Sequence, residues 1–272
     1  MLGAVIGDVI GSVFEWHNVK STEFQLYDRF TRFTDDTVLT VAIADAVLNK
    51  TKRSNRLLDY YASKRLYAYK LRQYAKWYPN AGYGQKFEEW ASSSDPKPYR
   101  SYGNGSAMRV SPIGFAFNTL EEVLREARRS ALVTHNHRQG IFGAQAVASA
   151  VFLARNNRPK AEIQAFIQQK FKYNLTRKLD DIRPKYAFDP SCQGSVPQAI
   201  IAFLESTDFE DAIRKAISIG GDSDTIACIT GGIAHAFYKE IPKEIVSEVM
   251  LKLDLKLRQI IELFQDRYNI PI

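Results

Sequence analysis

Apolar residues recur at helical spacing from one end of this 272-residue chain to the other, and no stretch shows a clean strand-like alternation. The pattern predicts helices near 3–14, 36–49, 55–76, 106–117, 120–132, 138–155, 160–171, 195–205, 208–218, 224–238, 242–253 and 255–267. Breaks fall at Pro79-Asn80-Ala81-Gly82, Asp95-Pro96-Lys97-Pro98, Asn156-Asn157-Arg158-Pro159, Arg183-Pro184 and Asp189-Pro190. None is long enough to be a flexible linker, and no repeat of fixed period occurs. The expected fold class is therefore all-α, a single many-helix domain over residues 1–272.

Two acidic clusters stand at the mouths of predicted helices. Phe33-Thr34-Asp35-Asp36-Thr37 opens into the apolar run Val38–Leu48, and Gly220-Gly221-Asp222-Ser223-Asp224-Thr225 opens into Ile226-Ala227-Cys228-Ile229. Either cluster alone is explained as a helix cap, because Thr and Asp oxygens accept from unpaired N–H groups and suit the positive helix end. Adjacent helical residues do not share a face, however, so neighbouring carboxylates converge on one point only at a terminus. If the two termini meet, four carboxylates share a small volume and require compensating positive charge. Two divalent cations would supply it, and oxygen-only ligands favour Mg²⁺ or Mn²⁺, with Ca²⁺ less suited, over zinc.

Gly3, Gly7 and Gly11 place a bare stripe on one face of the first helix, which suits close approach by another backbone. Asp8 lies one residue past Gly7, and Glu15 is expected at the helix end, where close packing would carry it inward. A further loop, Tyr102-Gly103-Asn104-Gly105-Ser106-Ala107-Met108-Arg109, can turn N–H groups toward an anion, yet it is neither a Walker A loop nor a full GxGxxG. Thr134-His135-Asn136-His137 offers two imidazoles without a nearby cysteine, which suits hydrogen bonding to a phosphate or ribose better than metal binding.

The net charge is +7, and much of the excess lies in residues 50–76, where nine Lys and Arg residues, Lys52 and Arg53 among them, face only Asp59. Tyr60, Tyr61, Tyr67, Tyr69, Tyr74 and Trp77 interleave with them. Nucleic acid is one candidate partner for such a segment. An amphipathic helix with aromatics inward and a solvated basic face explains it more simply. Cys192 and Cys228 lack metal or disulfide spacing and fit a reducing cytoplasm. Asp8 interrupts any signal-peptide core, and no apolar run approaches membrane-spanning length, so a soluble chain without a membrane partner is expected.

Taken in order, Gly3–Asp8 through Glu15, Phe33–Thr37, Gly103–Arg109, Thr134-His135 and Gly220–Thr225 resemble the ADP-ribosylglycohydrolase family, and they span nearly the whole chain. The resemblance implies a compact all-α domain holding two Mg²⁺ or Mn²⁺ ions. Thr34, Asp35 and Asp36 would be ligands from one terminus, and Asp222, Asp224 and Thr225 from the other. It further implies that Gly103, Asn104, Gly105, Ser106, Ala107 and Met108 hold the diphosphate of ADP-ribose, with His135 touching the same ligand. Glu15 would be the acidic residue needed for turnover. The implied reaction cuts at the ribose anomeric carbon, taking an ADP-ribosylated target, arginine or serine above all, and releasing ADP-ribose.

Tyr78–Tyr102 and Asp180–Val196 match no known selector of the attachment side chain, so arginine, serine, other esters and modified nucleic acids stay open as linkages. A catalytically silent ADP-ribose-binding module is the alternative, although both acidic clusters are intact. A terpenoid-synthase-like bundle fails, because Asp36 is followed by Thr37-Val38-Leu39-Thr40 where a DDxxD pattern needs a further acid.

Overall fold

The first helix, Leu2–Gly11, has no solvent-facing side: all ten of its residues are buried, as suits a helix that is apolar all round. The computed structural model describes residues 1–51 and 54–271. In chain order their helices are α1 (Leu2–Gly11), α2 (Asp35–Leu48), α3 (Arg56–Trp77), α4 (Gln85–Ser92), α5 (Gly105–Met108), α6 (Ser111–Ala116), α7 (Leu120–Ala131) and α8 (Arg138–Arg155). They continue as α9 (Lys160–Phe171), α10 (Leu179–Ile182), α11 (Cys192–Glu205), α12 (Phe209–Ile217), α13 (Ser223–Tyr238), α14 (Lys243–Lys252) and α15 (Leu255–Tyr268). No strand occurs among the described residues, and the all-α expectation holds.

Gly3, Gly7 and Gly11 share one face of α1, and that face lies directly on α13. A Cβ on Gly3 would fall inside 3.0 Å of the Gly231 carbonyl, and one on Gly7 inside 3.0 Å of the Ala227 carbonyl. At Gly11 the obstacle is the Asp224 backbone, 2.6 Å away. The contact is thus backbone on backbone, with no room for a methyl group. Around this pair, α8, α11 and α12 pack on α13, while α2 lies against α1 and carries α3 and α15 outside it.

Three expected helices differ in their bounds, and two helices are additional. The predicted helix 106–117 is two helices, because Pro112 has no N–H to return to the Met108 carbonyl. That carbonyl instead accepts from Thr40 Oγ1 at 3.4 Å and Cys228 Sγ at 3.5 Å. The first helix stops at Gly11, so Glu15 lies in the turn beyond it rather than at the helix end. α11 begins at Cys192, with Ser191 capping Gly194 N at 3.0 Å, ahead of the expected start at 195. α4 and α10 were not foreseen; α4 is two turns long and is held by burial of Phe87 and Trp90 rather than by a long periodic pattern.

Within the basic segment, Lys52 and Arg53 lie outside the described residues. Lys50 reaches Asp59 at 3.4 Å and Glu126 at 3.5 Å, and Lys70 pairs with Asp45 at 2.8 Å. Tyr67 and Tyr74 point inward as expected, whereas Tyr61, Tyr69 and Trp77 are exposed. No helix among the described residues is long and apolar enough to cross a membrane.

The α1–α13 contact makes a direct prediction. Gly7→Ala forces two backbones apart and should cost about 3 kcal/mol, the upper end for overpacking a core. Gly84→Ala, where a Cβ meets nothing within 4 Å, should stay within about 1 kcal/mol as a simple N-cap change. Denaturant unfolding of both variants checks this; equal costs would contradict it.

Candidate active site

Because α1 ends beside the start of α13, its one buried acid, Asp8, faces the start of α2. Asp8 Oδ2 accepts from Thr34 N at 2.9 Å and Thr37 N at 3.0 Å, and Oδ1 accepts from the Thr34 hydroxyl at 2.5 Å. Thr34 in turn caps Asp36 N at 3.4 Å. The Thr225 hydroxyl donates to Asp36 Oδ2 at 3.0 Å, joining positions 189 residues apart. The two acidic clusters therefore meet. Carboxylate oxygens of Asp8, Asp36 and Asp224 lie within 4.8 Å of one another, and so do those of Glu15, Asp222 and Asp224. Asp224 belongs to both groups.

Glu15 reaches this cluster because its turn is tied to the second acidic loop. Asn18 Nδ2 donates to the Phe14 carbonyl at 2.9 Å and the Glu15 carbonyl at 2.8 Å, while its Oδ1 accepts from Gly221 N at 2.5 Å. The loop can bend this sharply because Gly220 and Gly221 take φ of +74° and +72°. Asn18 and Asp8 are structurally central, and neither was given a role from sequence. For Asp8 a signal existed: a lone acid in an otherwise apolar helix.

Six carboxylates crowd this volume, and burial pushes their pKa values up. Asp35, Asp36 and Asp224 rise well above the usual aspartate range, through burial first and neighbouring carboxylates second. Asp8 and Asp222 also rise through burial, and Glu15 is pushed up to about 6 by burial and then by Asp222. Asp36 Oδ1 is buried without a hydrogen-bond partner among the described residues. Such a set of oxygens, short of positive charge and converging within a few ångströms, fits divalent cations.

All of these acids except Asp8 line the floor of a cleft of about 500 Å³. One wall is the Gly103–Gly105 turn with His135, Met108 and Arg109. Asn104 links wall to floor, donating from Nδ2 to Asp222 Oδ2 at 2.7 Å. Of the other loop residues, Ser106 and Ala107 do not line the cleft: the Ser106 hydroxyl donates to the Gly140 carbonyl at 2.7 Å, and Ala107 is fully buried. His137 caps α8 instead of facing the cleft. The opposite wall comes from Gly82 to Phe87 and from Phe188, within the two segments that match no selector. Trp16 stacks on Phe188 at the rim, with centroids 6.0 Å apart.

The profile of the ADP-ribosylglycohydrolase family matches residues 1–269. The chain belongs to this family. Its relatives include the ADP-ribosylhydrolase ARH3 of Xenopus tropicalis, 28% identical over 88% of this chain and 86% of that protein. Another is the ADP-ribosylarginine hydrolase Tri1 of Pseudomonas putida, 26% identical over 92% of this chain and 72% of that protein. A solved ADP-ribosylglycohydrolase-related protein complex superposes with a TM-score of 0.69 at 23% identity, covering 100% of this chain and 96% of that one. The likeness shows the shared all-α fold.

Raised carboxylate pKa values mean that the folded protein binds more protons than the unfolded chain, so without cations these groups destabilise the fold as pH rises. Glu15 contributes across the window from 4.5 to about 6, and Asp36, held well above the usual aspartate range by burial and its neighbours, adds to the effect. In chelator, Asp36→Asn should therefore melt above wild type, with a margin that widens from pH 5 to pH 8. Histidines contribute equally to both proteins and cancel. A margin that shrinks with pH would contradict the crowding.

Proposed function

We propose that this protein is a hydrolase that releases ADP-ribose from an ADP-ribosylated target by cutting at the ribose anomeric carbon. A protein arginine or serine side chain is the proposed attachment, and a reducing cytoplasm suits the two free, buried cysteines. Family membership supports the reaction class. The observation that carries the reading is the placement of Glu15, Asp222 and Asp224 in the cleft floor beside the Gly103–Gly105 wall.

In this reading Thr34, Asp35, Asp36, Asp222, Asp224 and Thr225 hold two divalent cations, Mg²⁺ or Mn²⁺, with Asp8 orienting Thr34 through its hydroxyl hydrogen. Bound there, the pair supplies Lewis-acid polarisation of sugar hydroxyls and water. Glu15 acts as proton acceptor for the attacking water; burial raises its basicity above that of an ordinary glutamate. Gly103, Asn104, Gly105 and Met108, which line the cleft, and His135 hold the diphosphate side of the ligand. Asn104, bonded to Asp222 Oδ2 at 2.7 Å, keeps that wall in register with the acids. The proton accepted by Glu15 passes to the nitrogen or oxygen of the leaving side chain as its bond to the anomeric carbon breaks.

The decisive test is release of ADP-ribose from arginine-, serine-, glutamate- and nucleic-acid-linked substrates in parallel, with Mg²⁺ and with Mn²⁺. Turnover on a protein side chain is expected. Binding of ADP-ribose with release from none would make the protein a catalytically silent binding module. Glu15→Gln should lower kcat by roughly 10²–10⁴-fold, the span of a positioned acid–base group, and keep ADP-ribose affinity within a few-fold. A variant within a few-fold of wild-type kcat would remove Glu15 from the chemistry.

A further inference from the structure

We propose that Arg109 and Thr134 are positioning residues that hold His135 as its Nε2-protonated tautomer, presenting one N–H to an acceptor oxygen of the ligand's diphosphate or ribose. The ligand half of this inference rests on the ADP-ribose reading above; the tautomer half does not.

Arg109 is almost completely buried, at 1% exposure, and forms no ion pair among the described residues. Its Nη2 donates to Thr134 Oγ1 at 2.8 Å. A guanidinium can only donate, so the Thr134 oxygen is an acceptor in that bond. The same oxygen lies 2.7 Å from His135 Nδ1. Thr134 is itself fully buried, and its hydroxyl hydrogen finds no other acceptor among the described residues. Leaving that hydrogen unpaired in the interior would cost about 1–3 kcal/mol. The satisfied arrangement sends it to Nδ1, which must then be bare, and the ring proton resides on Nε2. Burial and the Arg109 cation together hold the ring well below its usual pKa, so a second proton is disfavoured.

The Nε2 edge faces the cleft loop. A Cβ on Gly105 would lie 3.5 Å from Nε2, and one on Gly103 3.7 Å away. Nε2 has no hydrogen-bond partner among the described residues, and His135 lines the cleft. A donor N–H without a protein acceptor, fixed beside a glycine turn, suits a phosphate or sugar oxygen. The chain Arg109–Thr134–His135 thus converts a buried cation into an oriented neutral donor, a role distinct from charge neutralisation of the ligand.

¹⁵N-histidine NMR of the ligand-free protein, with His135 assigned by loss of its signals in His135→Gln, should show a protonated Nε2 and an unprotonated Nδ1. Thr134→Val should lose the single-tautomer signature, weaken ADP-ribose binding roughly tenfold and raise KM with kcat within a few-fold. Thr134→Ser should restore all three. Should Thr134→Val fail to fold, the wild-type and Thr134→Ser spectra still decide. A wild-type ring protonated at Nδ1, or a folded Thr134→Val with unchanged tautomer and affinity, overturns the relay. A correct tautomer in a protein that binds no ADP-ribose overturns the ligand half together with the ADP-ribose reading.

Discussion

The glycine-lined contact between α1 and α13 sets the spacing of the acidic side chains in the cleft floor. With no Cβ at Gly3, Gly7 or Gly11, the two backbones come close enough that Asp224 starts its helix against the end of α1. Asp8 is carried on the same helix one residue after Gly7, and it captures the first turn of α2 through Thr34 and Thr37. Three helices are thereby registered at a single point. A wider α1–α13 spacing would move the Asp36–Thr225 bond, 3.0 Å long, out of reach.

This registration comes with an electrostatic tension. The core around α1 and α13 is apolar and closely packed, and it draws the carboxylates out of water, where their charged forms are disfavoured. Helix starts offset part of the penalty, since Thr34 N, Thr37 N and Asn104 Nδ2 all donate to aspartate oxygens. The remainder is left to whatever positive charge the cleft admits. Arg109 forms no ion pair with these carboxylates, and its Nη2 is directed to Thr134. Such clustering of perturbed groups is common at functional sites.

Much of the architecture was legible in the chain. The helical period, the glycine stripe and the two acidic helix starts are local signals, and each survives in the fold. Convergence of the two clusters was also accessible, because adjacent carboxylates meet only at helix ends. What was not legible depends on tertiary partners. The helix read over 106–117 is divided at Pro112, and the carbonyl it frees is taken up by Thr40 and Cys228 from distant parts of the chain. α4 is too short for its period to register, and packing of Phe87 and Trp90 makes it a helix. Asn18 looks like an ordinary surface residue, and only its bonds to Glu15 and Gly221 reveal a brace. In the basic segment, charge counting could not show that Lys50 and Lys70 are spent on buried carboxylates of other helices.

Everything proposed for the cleft requires the joined acidic clusters to form one cation site. Titrating Mn²⁺ into chelator-stripped protein, with the free ion counted by its paramagnetic resonance, tests that claim most directly. Two equivalents should bind per chain, with at least one lost in Asp224→Asn, the residue shared by both carboxylate groups. Saturation that Asp224→Asn leaves unchanged, or no saturable binding at all, would contradict it.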